Sequence, residues 1–191
     1  MLARNARIKG VLLIRNAQEE NSYTLDSISH SVEQTQRLGM RLGELLTGGE
    51  LILLEGQLGT GKTTFTQGLA LGMEITENIN SPTFTILKEY PGQPRGEGEP
   101  PGPALYHFDL YRLDDPGEIF DLGFEEYFYG HGVCIVEWAE KADFYWPDDH
   151  LRIRLKMLSE TKRGLLFIAS GARYCELLRQ FQKNTYVTPG S

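Results

Sequence analysis

Apolar positions change period several times along this chain, and each change predicts an element. Ser31-Val32-Glu33-Gln34 has the form of a capping box, a Ser followed three residues on by a Gln. Val32, Leu38, Leu42, Leu45 and Leu46 then recur at roughly helical spacing. Gly48-Gly49 ends that helix, and residues 51–55 form a continuous apolar run closing on an acid, the pattern of a buried strand. After a glycine-rich turn, Phe65, Leu69 and Met73 share one helical face; this helix is expected to run to about Leu71, with Gly72 as its cap. Pro82 restricts both itself and Ser81 to non-helical backbone, and Phe84, Ile86 and Tyr90 alternate as in a strand. Residues 91–103, dense in Pro, Gly and charge, read as a solvated hairpin loop and not as a domain linker. Residues 105–109 and 133–137 read as strands, with a short helical region over 118–128 between them. Leu151, Ile153, Leu155 and Met157 alternate with Arg152, Arg154 and Lys156, so that strand has one wet face. Residues 165–169 are expected to pair with it across a turn at 161–164, and 174–181 to form a last helix, with fraying after Gln182. Helices interleave with strands early and antiparallel strands come late. The fold class expected is therefore α/β: one domain over residues 23–182, with a mixed sheet flanked by helices and with antiparallel strands toward the C-terminus. Residues 1–22 and 183–191 are expected to be flexible extensions, and no internal repeat is present.

Composition narrows the class further. The 191 residues suit one domain with a substantial core, and 40% hydrophobic residues fit a globular chain. A net charge of −7 argues against a broad nucleic-acid surface, though not against a local basic patch. The two cysteines, Cys134 and Cys175, lack metal-ligand spacing and make no disulfide framework, which points to a reducing cytoplasm. No apolar run approaches the length of a membrane span. Near the start, Arg4, Arg7 and Lys9 precede Val11-Leu12-Leu13-Ile14, a stretch too short for a secretory signal. An organelle transit peptide stands behind a disordered extension, or a start codon called too early, as the reading of this segment.

The chemistry is concentrated in Gly56-Gln57-Leu58-Gly59-Thr60-Gly61-Lys62-Thr63, a complete G-x-x-x-x-G-K-[ST] phosphate-binding loop between strand and helix. Glycines let such a backbone curl and aim its N–H groups at an anion, and the following helix adds the partial positive charge of its N-terminus. Lys62 can reach the β- and γ-phosphates of a nucleotide, and the Thr63 hydroxyl can bind Mg²⁺. The loop should lie outside the carboxyl end of its strand. Two acids, Asp109 and Glu137, close apolar strands. Either can hold Mg²⁺, directly or through water, while the other positions water or a mobile loop. The plainer alternative for each is a helix cap, or an ion pair with Arg112 or Lys141. Thr83 sits where many nucleotide switches sense the γ-phosphate, or else in an ordinary turn. His107 reads as structural, not as a general base. Trp138 reads first as a cover for the core, and otherwise as a surface for a base.

Taken in order, the loop extended to Thr64, Ser81-Pro82-Thr83-Phe84, His107-Phe108-Asp109-Leu110-Tyr111-Arg112-Leu113 and Ile135-Val136-Glu137-Trp138-Ala139-Glu140-Lys141 resemble the TsaE (YjeE) family, and Asp121-Leu122-Gly123-Phe124-Glu125-Glu126-Tyr127-Phe128 fits its acidic-aromatic segment. The resemblance covers about residues 24–178 and implies a P-loop NTPase-like domain that binds ATP with Mg²⁺ and hydrolyses it slowly alone. It also implies work with the TsaB and TsaD proteins, which transfer threonylcarbamoyl to an adenosine of tRNAs reading codons that begin with A. The tRNA is then reached through the assembly. By the family pattern Gly59, Thr60, Gly61, Lys62, Thr63 and Thr64 hold the nucleotide, and Thr63 and Glu137 ligate Mg²⁺. Asp109 lies close to the metal and the reacting phosphate, and Thr83 belongs to a mobile segment near the γ-phosphate. Arg163 matches a late basic position near the nucleotide, and Glu33 falls near the adenine side. The N-terminal extension and the enlarged 91–103 loop depart from the family without touching a motif. Two other functions compete: a small-molecule kinase using the same loop, for which Arg152, Arg154, Lys162 and Arg163 would have to imitate a lid, and a non-hydrolysing nucleotide-binding scaffold, against which Lys62, Thr63, Asp109 and Glu137 all argue.

Overall fold

The computed structural model describes residues 21–186; the basic and apolar N-terminal stretch and residues 187–191 lie outside the described residues. In chain order the elements are β1 (Ser22–Ser29), α1 (Val32–Gly43), β2 (Leu51–Glu55), α2 (Lys62–Gly72), β3 (Leu87–Tyr90), β4 (Leu105–Asp109), a 3-10 turn (Pro116–Leu122), α3 (Glu125–Phe128), β5 (Val133–Glu137), a second 3-10 turn (Ala139–Ala142), β6 (His150–Met157), β7 (Arg163–Ser170) and α4 (Ala172–Tyr186). The strands form one seven-stranded sheet in the order β1-β7-β6-β2-β5-β4-β3. Its centre, β6-β2-β5-β4, is parallel; β3 pairs antiparallel with β4 at one flank, and β7 pairs antiparallel with both β6 and β1 at the other. The expected α/β class with a mixed sheet is what the chain adopts.

The two central strands, β2 and β5, are buried at every position, as continuous apolar runs require. One face of the sheet packs on α1, α2 and α4 through Leu38, Leu42, Phe65, Leu69, Phe167 and Phe181. The other packs Leu51, Leu53 and Phe108 beneath a canopy of Phe124, Phe128 and Trp146. On the first face α1 and α2 touch backbone to backbone. A Cβ at Gly68 would stand 1.9 Å from the Gln36 carbonyl oxygen, and one at Gly39 would stand 2.2 Å from that of Phe65, so only glycine permits this approach. The close seam fixes the helix that begins with Lys62 against its neighbour.

Several boundaries differ from the sequence expectation for local reasons. Strand β1, absent from that expectation, is masked because its inward positions include Ser27 and Ser29, polar groups satisfied by Tyr186 and Thr35. Phe84 and Ile86 do not join a strand. The amides of Thr85 and Ile86 both donate to the Pro82 carbonyl, which closes a turn, and Phe84 is 83% exposed. Val32 opens α1 facing solvent; the buried stripe begins at Thr35. The capping box forms one residue wider than its usual pattern: Gln34 N–H donates to Ser31 Oγ, and the Gln34 side chain accepts from His30 N–H. The 118–128 region divides into the 3-10 turn and α3 at Gly123. Helix α4 continues past Gln182 because Arg41 donates to the Asn184 and Thr185 carbonyls and the Tyr186 hydroxyl reaches Ser27.

Candidate active site

The loop leaves the carboxyl end of β2 at Glu55 and enters α2 at Lys62. Gly61, at φ 101°, occupies the helix N-cap, where no side chain caps the helix, so the first-turn N–H groups stay available to an anion. Thr60 braces the loop internally through its amide and hydroxyl on the Gln57 carbonyl. Lys62, only 4% exposed, folds back: Nζ donates to the Gly56 and Gln57 carbonyls and lies 3.7 Å from the centre of the Trp138 ring. Burial pushes this ammonium's pKa down, and the nearby carboxylates of Glu137, Glu140 and Asp109 push it back up.

Strands β4 and β5 are adjacent and parallel, and their register sets Asp109 directly opposite Glu137. Both side chains are buried on the side of α2. Glu137 Oε2 accepts from the Thr63 hydroxyl at 2.9 Å, and Oε1 accepts from His107 Nε2 at 2.9 Å, with the Thr66 hydroxyl farther off at 3.4 Å. Asp109 Oδ1 accepts from Tyr111 N–H at 2.8 Å, while Oδ2 accepts from the hydroxyls of Ser81 and Thr83. Among the described residues the alternative ion pairs with Arg112 and Lys141 are not made. Arg112 lies over the Phe84 ring, and Lys141 donates to the carbonyls of Tyr111 and Leu113, tying the segment after Asp109 to the turn after Glu137.

These groups enclose a cavity of about 420 Å³ whose lining includes Gly59, Gly61, Lys62, Thr63, Thr64, Thr83, Asp109 and Glu137. Ser81, Tyr111, Trp138 and Leu58 complete it; of these four only Trp138 had a site role among its expected readings, as a surface for a base. Trp138 packs against the core as expected and, half-buried, also faces the site, with Lys62 against its ring and the Tyr111 ring tilted at 5.0 Å from it. It takes left-handed backbone at φ 62°, a conformation costing on the order of 1 kcal/mol in a bulky residue, which turns the indole back over the loop. Thr60, Glu33 and Arg163 do not line the cavity. Arg163 braces the β6–β7 turn through its own carbonyls and reaches Gly59 O at 3.4 Å. Glu33 lies exposed in the first turn of α1, its carboxyl held below the ordinary range chiefly by the Ser31 hydroxyl.

The Thr63 hydroxyl and the Glu137 carboxylate both present oxygens, which suits a hard cation such as Mg²⁺ and not a soft one. Among the described residues no cluster of three or more His, Cys, Asp or Glu side chains could hold a metal by itself. A hydroxyl and one carboxylate match the way Mg²⁺ is held when nucleotide phosphates supply the remaining ligands.

Strand, glycine loop and helix, with an acid presented from the neighbouring parallel strand, define the P-loop class of α/β proteins. Residues 29–165 match the family model described as threonylcarbamoyl adenosine biosynthesis protein TsaE. The chain belongs to the TsaE family. It is 41% identical over 156 residues to the tRNA threonylcarbamoyladenosine biosynthesis protein TsaE of Bacillus subtilis, covering 82% of this chain and 92% of that one. It is also 41% identical to the protein of the same name from Treponema pallidum, over 72% of this chain and 96% of the relative. A crystal structure of Bacillus subtilis YdiB superposes with a TM-score of 0.71 at 34% identity, covering 85% of this chain and 97% of that one. Among the described residues no helix is long and apolar enough to cross a membrane.

Proposed function

We propose that the protein is a Mg²⁺-dependent ATPase of the cytoplasm that serves tRNA N6-threonylcarbamoyladenosine synthesis as an accessory to TsaB and TsaD, meeting tRNA only through that assembly. The observation that carries the ATPase reading is the Thr63–Glu137 contact at 2.9 Å at the head of the phosphate loop, with Asp109 in register beside it. The family membership and the names of the relatives support the pathway.

The chain's own groups divide the work. The free N–H groups of the loop and the start of α2 bind phosphate oxygens. Lys62 leaves the Gly56 and Gln57 carbonyls for the β- and γ-phosphates, exchanging neutral acceptors for charged ones. Thr63 and Glu137 would hold Mg²⁺, which neutralises charge on the β- and γ-oxygens when bound. Asp109, released from its two hydroxyl donors, can accept a proton from the attacking water or orient it. Lys62 and Asp109 are both engaged by neighbours, so turnover by the protein alone is expected to be slow. A partner that holds the 81–83 segment off Asp109 shifts the population toward the reactive arrangement.

The arginines a kinase lid would need are already committed: Arg152 to Glu55 and Asp143, Arg154 to Glu55, and Arg163 to its own turn. The test is phosphate release from ATP with and without TsaB and TsaD, and with candidate small-molecule acceptors. Partner-stimulated release is expected. Release that ignores the partners, or phosphate appearing on an acceptor, overturns the proposal.

A further inference from the structure

His107 lies two residues before Asp109 on the same face of β4, fully buried, with Nε2 2.9 Å from Glu137 Oε1. Its other ring nitrogen, Nδ1, is buried and has no hydrogen-bond partner among the described residues. A buried polar atom left unpaired costs on the order of 1–3 kcal/mol, so an imidazole here is a poor choice for packing alone. Resting on the Mg²⁺–nucleotide reading above, we propose that His107 is a positioning residue: its Nε2–H pins one oxygen of Glu137 so that the other stays aimed at Thr63 and the cation.

A carboxylate can only accept, so the shared proton belongs to Nε2; in the neutral imidazole Nδ1 is then left with a bare lone pair. That tautomer leaves the orphaned atom without a stranded proton. The other donor to Oε1 is weak: the Thr66 hydroxyl has one proton and lies closer to the Lys62 carbonyl, 3.1 Å against 3.4 Å. Without the imidazole, Oε1 would have only that contact, and the carboxylate could rotate. Both of its oxygens would then sample the Thr63 side, and the geometry of one anionic ligand would be lost. Groups that orient a metal-binding carboxylate in this way typically change metal affinity tenfold to a hundredfold when removed.

Two substitutions and one spectrum test this. His107→Leu fills the space without a donor, whereas the carboxamide nitrogen of His107→Gln can reach the place of Nε2. Calorimetric binding of a non-hydrolysable ATP analogue is measured with and without Mg²⁺. His107→Leu should lose roughly tenfold or more of the Mg²⁺-dependent affinity while binding the metal-free analogue as the parent does; His107→Gln should recover most of the loss. In the nucleotide-free parent, imidazole ¹⁵N correlations should show the proton on Nε2, with its shift moved by Glu137→Gln. Unchanged Mg²⁺ dependence in His107→Leu, an equal loss of metal-free binding, or an Nε2 without a proton overturns the role of His107 alone. A parent whose nucleotide binding ignores Mg²⁺ overturns the ATPase reading, and this proposal with it.

Discussion

The α1–α2 seam makes a quantitative test of how the phosphate-loop helix is held. In Gly68→Ala the new methyl would meet the Gln36 carbonyl oxygen at 1.9 Å, its carbon at 2.7 Å and its Cα at 3.0 Å. All three are backbone atoms of α1, so no side chain can swing away. Relief requires the helices to part by about 1 Å or more, and gaps of that size forfeit a quarter to a half of each dispersion contact across the seam. Leu38, Leu42, Phe65 and Leu69 line it. The intrinsic helix preference favours Ala over Gly by about 1 kcal/mol, while overpacking a core costs about 1–3 kcal/mol and rigid backbone sets this site at the upper end. A net loss of about 2 kcal/mol follows, lowering the melting temperature by about 4–8 °C at this chain length. The assay is urea unfolding of parent and variant, with the substantially exposed Leu71→Ala on the same helix as a control expected to stay within about 0.5 kcal/mol. Lys62 and Thr63 ride on the displaced helix, so nucleotide affinity should fall together with stability. A Gly68→Ala protein as stable as the parent would refute the steric argument, because the clash would then cost no more than the propensity gain of about 1 kcal/mol.

Lys62→Ala should abolish ATP hydrolysis and weaken triphosphate binding while circular dichroism shows the fold retained; near-normal turnover would sink the loop assignment. Glu137→Gln should impair Mg²⁺-dependent binding and hydrolysis together, whereas Asp109→Asn should slow phosphate release more than it weakens binding. The reverse ranking in paired calorimetry and kinetics would exchange the two roles. Thr83→Ala removes one of two hydroxyls held by Asp109 and should blunt partner-stimulated release more than basal release, with pull-down confirming that TsaB and TsaD still bind. Burial raises the Cys134 thiol from its ordinary 9.0 to about 12. The native state thus keeps a proton that the unfolded chain releases. Stability from this group is fully present below pH 9 and is lost toward pH 12, at up to about 1.4 kcal/mol per pH unit. Urea unfolding at pH 8 and pH 10.5 should show a steeper decline in the parent than in Cys134→Ala, and parallel declines would contradict it.

What could be read in the sequence was what short-range chemistry dictates. The phosphate loop needs glycines, a lysine and a hydroxyl at set spacing, and the apolar runs of β2 and β5 announce burial by themselves. Asp109 and Glu137 were legible as acids closing such runs. Side-chain direction was not legible where neighbouring backbone decides it. Trp138 turns onto Lys62 through left-handed backbone that no apolar pattern announces, and Phe84 leaves the strand because two amides converge on the Pro82 carbonyl. The rest depended on distance along the chain. Thr63 meets Glu137 across 74 residues and His107 meets it across 30, because the sheet order sets β5 between β2 and β4. In the sequence His107 is one polar residue in an alternating strand. Only the parallel register of β4 and β5, and the packing of α2 against β5, place its imidazole beside the carboxylate and leave its other nitrogen without a partner among the described residues.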